Sequence, residues 1–215
     1  MLMYNGSILI YTKEAAEAQN RYFGWGDEKP RPENLVEQGG WILGFLDTTH
    51  PGPVRALATH FLPACGCKGS PAYLEWPAEE NIRLQREYYR IRDEEVPAEK
   101  RGSFKILGWV HSHPGTLGVF ISGTDHENIQ LHFNDPSKFS VVLNPQRKII
   151  KAFLGPDHPE VPLIMELPIR TDPRERKTGE RAVAALTASE RKKNRRQRAR
   201  RRRKRFERRR RRGRR

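Results

Sequence analysis

Short apolar runs alternate along the chain with loops rich in glycine and proline. Ile8, Leu9 and Ile10, followed by Ala15, Ala16 and Ala18, predict a short strand or turn running into a helix that Thr12 can cap. Residues 24–34, with Gly24, Gly26, Pro30 and Pro32, predict a loop. Gly39 to Leu46 reads as a buried strand with glycines near both ends, and Val54 to Leu62 as the next strand. The turn-rich break from Asp47 to Pro53 makes these two a hairpin. Residues 63–76 predict a loop. Pro77 to Glu95 predicts a helix on the spacing of Ile82, Tyr88 or Tyr89, and Ile91, with Pro77 in its first turn. Phe104 to Val110 is a compact apolar strand, and a glycine-containing loop leads from it to a helix from Thr124 to Phe133. Lys138–Leu143 and Lys148–Leu154 predict two more strands, turned by Asn144 and Pro145. Strands with a few helices and no regular βαβ alternation predict an α+β domain with a mixed sheet.

Charge divides the chain where hydropathy does. The 215 residues carry a net +15, but residues 191–215 hold 19 Lys and Arg against Glu207 alone. Residues 171–190 are neutral, and residues 1–170 sum to −3. The expected organisation is a folded body over 1–170, a linker over 171–190 with helical character near 181–190, and a disordered arginine-rich tail over 191–215. The basic pI therefore belongs to the tail, and a uniformly basic nucleic-acid-binding domain is excluded as the default. Arginine suits phosphate contact, so the tail is expected to meet nucleic acid or an acidic partner. With only Cys65 and Cys67, one residue apart, a disulfide framework is excluded and a reducing compartment is the simpler expectation. No apolar run approaches the roughly 18 residues that span a bilayer. A cytoplasmic protein is expected.

The chemistry concentrates in His111-Ser112-His113-Pro114 and Ser122-Gly123-Thr124-Asp125. Residues i and i+2 of a strand point to one side, roughly 6.6 Å apart along the chain. Two imidazoles on one face of a strand end can converge on one metal, and Asp125, at the start of the next helix, can add a carboxylate oxygen. Three ligands plus an open position is the arrangement of a catalytic zinc. Such a site calls for a general base, and Glu37, just before the Gly39 strand, is the candidate, although spacing alone does not bring it to the histidines.

These residues carry a resemblance. Glu37-Gln38-Gly39-Gly40-Trp41-Ile42-Leu43-Gly44, then Gly108-Trp109-Val110-His111-Ser112-His113-Pro114-Gly115, then Ser122-Gly123-Thr124-Asp125, resemble the JAMM (MPN-plus) zinc metalloproteases, over about residues 5–155. The resemblance implies a curved mixed sheet flanked by helices, of the cytidine-deaminase-like kind. It implies one Zn2+ per chain, held by His111, His113 and Asp125. Glu37 would exchange the proton of the attacking water, and Ser122 would hold that water or the oxyanion. The implied reaction is hydrolysis after the C-terminal glycines of a ubiquitin-like protein. Pro114 to Ile121 is eight residues, one more than the family usually has, and Gly115 and Gly118 can absorb the extra one.

Other readings stay open. The substrate could be a sulfur-carrier protein, or the body could be a non-catalytic scaffold whose tail binds nucleic acid; a homodimer is also open. Cys65-Gly66-Cys67 is expected to be a loop with two free thiols. His126 and His132 are expected to be ordinary helix residues, and Thr124 to cap their helix.

Overall fold

In the computed structural model, which describes residues 6–47 and 52–165, β1 (Ile8–Tyr11) runs directly into α1 (Lys13–Phe23). Thr12 caps α1 by accepting the Ala15 N–H, and Gly24 ends it in the left-handed conformation (φ 68°) that glycine adopts without strain. The expected hairpin is present as β2 (Gly39–Asp47) against β3 (Arg55–Pro63), antiparallel. The stretch 63–76, expected to be a loop, instead holds a small hairpin of its own, β4 (Lys68–Ser70) and β5 (Tyr73–Glu75). Helix α2 (Ala78–Glu94) follows, then β6 (Phe104–Ser112), which runs two residues past its expected end. After α3 (Gly123–His132) come β7 (Phe139–Asn144) and β8 (Ile149–Leu154). Two minimal strands, β9 (Glu160–Val161) and β10 (Leu163–Ile164), were not anticipated.

The fold is α+β, with eight strands in one mixed sheet in the order β10-β1-β3-β2-β6-β7-β8-β9. Its outermost strands, β9 and β10, are separated in sequence by Pro162 alone. Two opposite edges joined by a single residue require the sheet to curl until they nearly meet. Proline suits that point, because it has no N–H to give to either ladder; its carbonyl accepts the Leu9 N–H at 3.1 Å.

Curling gives the sheet two different faces. One packs Leu9, Tyr11, Ile42, Val110, Val141 and Leu143 against α1, where Ala15 and Ala16 let the helix approach closely. The other packs Trp41, Leu43, Phe104 and Trp109 under α2 and α3 through Leu84, Ile91 and Ile129. Burying each of these larger side chains contributes roughly 1.5–3 kcal/mol. The α2 seam differs from expectation. Ile82 is 48% exposed, while Glu80, Leu84 and Ile91 are buried. Glu80 can go inside because Arg83 bonds both its oxygens, at 2.6 and 2.8 Å. The expectations for 171–190 and 191–215 fall outside the described residues.

Candidate metal centre

The site sits on the second face, at the end of β6. His111 lies in the strand, paired with Gly39 of β2 on one side and Val142 of β7 on the other. His113 is one residue beyond the strand, but its N–H donates to the Leu143 carbonyl at 2.8 Å and so keeps the same pleat. Both imidazoles therefore point to one side, and their Nε2 atoms come within 3.1 Å. Asp125 arrives from the first turn of α3. There it is locked in a capping box: Ser122 N–H donates to Asp125 Oδ2 (2.8 Å), and Asp125 N–H donates to Ser122 Oγ (3.2 Å). Ser122, not Thr124, is thus the cap of α3. Ser-x-x-Asp ahead of a helix is the signal that identifies it. The box aims Asp125 Oδ1 at His111 Nε2 (3.0 Å) and Oδ2 at His113 Nε2 (3.4 Å).

The three residues are buried, and among the described residues theirs is the one group of three such side chains whose donor atoms converge. The two Nε2 atoms are 3.1 Å apart, and one ligand atom from each of the three residues lies within 4.8 Å of the others, of the order of the edges of about 3.3–3.4 Å expected for ligands 2.0–2.1 Å from a tetrahedral centre. Tautomer chemistry agrees. His113 Nδ1 lies 2.7 Å from the Gly118 carbonyl, which can only accept, so Nδ1 carries a proton and, in the neutral ring, Nε2 carries a lone pair. That lone pair, the His111 ring and the Asp125 carboxylate face one another closely enough for a proton or a metal ion to be shared among them. The residues can hold a metal ion.

Electrostatics point the same way. Burial pulls the Asp125 carboxyl upward, but the charge of His111 and hydrogen bonds from both histidines and the Ser122 N–H outweigh it and hold the group well below the usual carboxylate range. Burial pulls His113 down, yet its bonds to Asp125 and the Gly118 carbonyl, with the charges of Asp125 and Glu37, leave it above its ordinary value.

The β2–β6 register brings Glu37 in. Gly39 faces His111, Ser112 N–H donates to the Gln38 carbonyl (2.9 Å), and Gln38 N–H donates to Ser112 Oγ (3.0 Å). That register leads toward Glu37, whose carboxyl interacts electrostatically with His113 and Asp125. The β4–β5 hairpin backs it, with Glu37 N–H donating to the Ser70 carbonyl at 2.8 Å. Gly39 is bare because a Cβ there would strike Trp76 and Leu74. Glu37 is buried, and that burial raises its carboxyl to about 7; His113 works against the rise and Asp125 adds to it.

Two features escaped the sequence reading. Trp109 stacks on His111, with ring centres 4.2 Å apart and 15° between planes, and is pinned by its own Nε1–H to Ser140 Oγ at 2.9 Å. This stack orients a ring whose Nδ1 has no hydrogen-bond partner among the described residues. Trp109 stands two residues before His111, on the same strand face, which was the available signal. Phe120, 51% exposed, sets its edge against His113 at 5.5 Å. The remaining candidates do not join the site. Cys65 and Cys67 are free thiols, and His132 packs on Phe133. His126 Nδ1 is instead 2.7 Å from His158 Nε2. No protein-family model matches the chain, and no curated protein matches it. Among the described residues, no helix is long and apolar enough to cross a membrane.

Proposed function

We propose that the chain is a zinc-dependent peptidase of the JAMM type, acting on the bond after the C-terminal glycines of a ubiquitin-like or sulfur-carrier protein. The observation that carries this reading is the convergence of His111, His113 and Asp125 with a buried Glu37 across the β2–β6 pair. His111, His113 and Asp125 would hold the zinc, which supplies a Lewis acid that lowers the pKa of a water and polarises the scissile carbonyl.

The chain's own groups divide the rest of the work. Glu37 takes the proton released as water oxygen attacks the carbonyl carbon. It then gives that proton to the nitrogen whose bond to carbon breaks, so an amine leaves and a carboxylate remains. Burial, which raises the Glu37 carboxyl in the metal-free chain, favours its holding the proton between the two transfers. Ser122 Oγ accepts the Asp125 N–H, which leaves the serine hydrogen to donate to the developing oxyanion. Phe120 forms an apolar lip beside His113, where the substrate tail would pass.

Glu37→Gln separates binding from turnover. The variant is expected to keep one zinc per chain and to lose about 10²–10⁴-fold in cleavage of a ubiquitin-like protein carrying a fluorogenic amide after its last glycine. Cleavage at the wild-type rate sinks the assignment of the base.

A further inference from the structure

Asn144 ends β7 and is fully buried. Its Nδ2 donates to the Gly115 carbonyl (3.0 Å) and the Leu117 carbonyl (2.9 Å), while its Oδ1 accepts the Arg147 N–H (2.9 Å). Chemistry fixes the orientation of this amide: two acceptors face one end and a donor faces the other. Two residues on, Gln146 Oε1 accepts the Gly115 N–H (3.1 Å) and Gln146 Nε2 donates to the Asn34 carbonyl (3.0 Å). One turn therefore braces both walls of the metal centre, the loop 114–121 and the segment leading to Glu37.

That loop has no regular secondary structure, yet the Gly118 carbonyl within it must stay 2.7 Å from His113 Nδ1. Leu117, whose carbonyl Asn144 holds, is its immediate neighbour. We propose that Asn144 is a positioning residue for the metal centre. By clamping the carbonyls of Gly115 and Leu117 it fixes that of Gly118, and so keeps His113 in the tautomer whose Nε2 faces His111 and Asp125. This rests on the metal-binding reading of the site. The two ligand histidines are then held by different devices, a ring stack for His111 and a clamped loop for His113.

The test compares the full-length wild type with Asn144→Asp, Asn144→Ala and Gln146→Ala. Asn144→Asp keeps the shape and the acceptor for Arg147 but turns an acceptor toward two carbonyl oxygens. Zn2+ affinity is read by competition with a chromophoric chelator, and Co2+ loading by its visible d–d band. Ring 15N shifts of the metal-free protein at alkaline pH report the His113 tautomer without any metal. The expected result is a loss of about tenfold or more in Zn2+ affinity for both Asn144 variants, a changed Co2+ band, and a mixed His113 tautomer where the wild type shows Nδ1–H. Gln146→Ala, which leaves both Asn144 donors in place, is expected to lose less. A wild type that binds neither ion overturns the metal reading, whereas the 15N comparison still judges the clamp. Wild-type affinity and an unchanged tautomer in Asn144→Asp overturn the clamp alone. Should Asn144→Ala fail to fold, the near-isosteric Asn144→Asp decides.

Discussion

Two places in this chain put a pair of histidines or a pair of cysteines at i and i+2, and they differ in the features that decide metal binding. His111 and His113 stand in register with strands on both sides, so their rings share one face. Cys65 and Cys67 lie in a turn after β3, closed by the Cys67 N–H to the Ala64 carbonyl at 3.2 Å. The histidines meet an acid whose oxygens point at them. The cysteines stand near Glu80, but its carboxylate is already bonded by Arg83 and the Gly66 N–H. Burial pushes both thiols up, Cys67 to about 12, so neither is a ready thiolate. Spacing nominates ligands. A site needs a common face and an anionic donor not already committed to a cation.

The largest expected effect strikes that contrast at its centre. His113→Ala or Asp125→Asn should remove one of three donors and cost at least about 100-fold in Zn2+ affinity, more than the loss of an outer partner. Isothermal titration and metal analysis of the purified chain read it directly. Unchanged affinity in both variants would mean that the converging donors do not bind the metal.

Next in size is a change in the metal-free protein. Glu37 has a folded-state pKa raised from 4.5 to about 7. Its contribution to stability is therefore full below pH 4.5 and is lost as pH rises through about 7. Asp125 runs oppositely: lowered in the fold, it stabilises above its ordinary value of 3.8, and that stability is lost on acidification. Glu37→Gln removes the buried charge, so it should raise the stability of the metal-free chain by about 1–3 kcal/mol above pH 7 and change little at pH 4. Denaturant melts at both pH values test the sign; a variant less stable than wild type at the higher pH refutes it.

A smaller effect distinguishes the two cap candidates. Ser122→Ala should cost about 1 kcal/mol, because it removes the acceptor for the Asp125 N–H. It should also weaken metal binding, because the box aims Asp125. Thr124→Ala should stay within about 0.5 kcal/mol. Equal losses in the two variants would contradict the capping geometry.

How far the sequence could be read follows from the same physics. Strands with five or more patterned residues, such as β2, β3 and β6, announce themselves through apolar runs between glycines. The pairs β4–β5 and β9–β10 do not, since two or three residues carry no period and β10 pairs with β1, far from it in sequence. Ile82 misled because helix periodicity ranks apolar residues ahead of Glu80, whose burial depends on Arg83 and Gly66. The three candidate metal-ligating residues were legible from residue type and spacing. That Glu37 comes within electrostatic reach of His113 was not, because it depends on the Gly39–His111 register. Asn144 was read only as part of a turn, since its bonds cross to a loop 29 and 27 residues away. After that loop the Ser122–Asp125 box forms intact.

The smallest expected effect closes the comparison from the cysteine side. Cys65→Ser with Cys67→Ser should leave the metal content of the chain unchanged, at one zinc if the His-His-Asp site binds as proposed. Serine keeps the size of the side chain and removes the soft donor, so any zinc held by the thiols would disappear from the metal analysis. Cys65 is exposed and should tolerate the change within about 0.5 kcal/mol. Cys67 packs partly against the α2 face of the sheet and should cost somewhat more. A fall in metal content with the histidines untouched would show that an i, i+2 pair of thiols beside a committed carboxylate can still recruit a cation. The requirement for an uncommitted anionic donor would then be wrong.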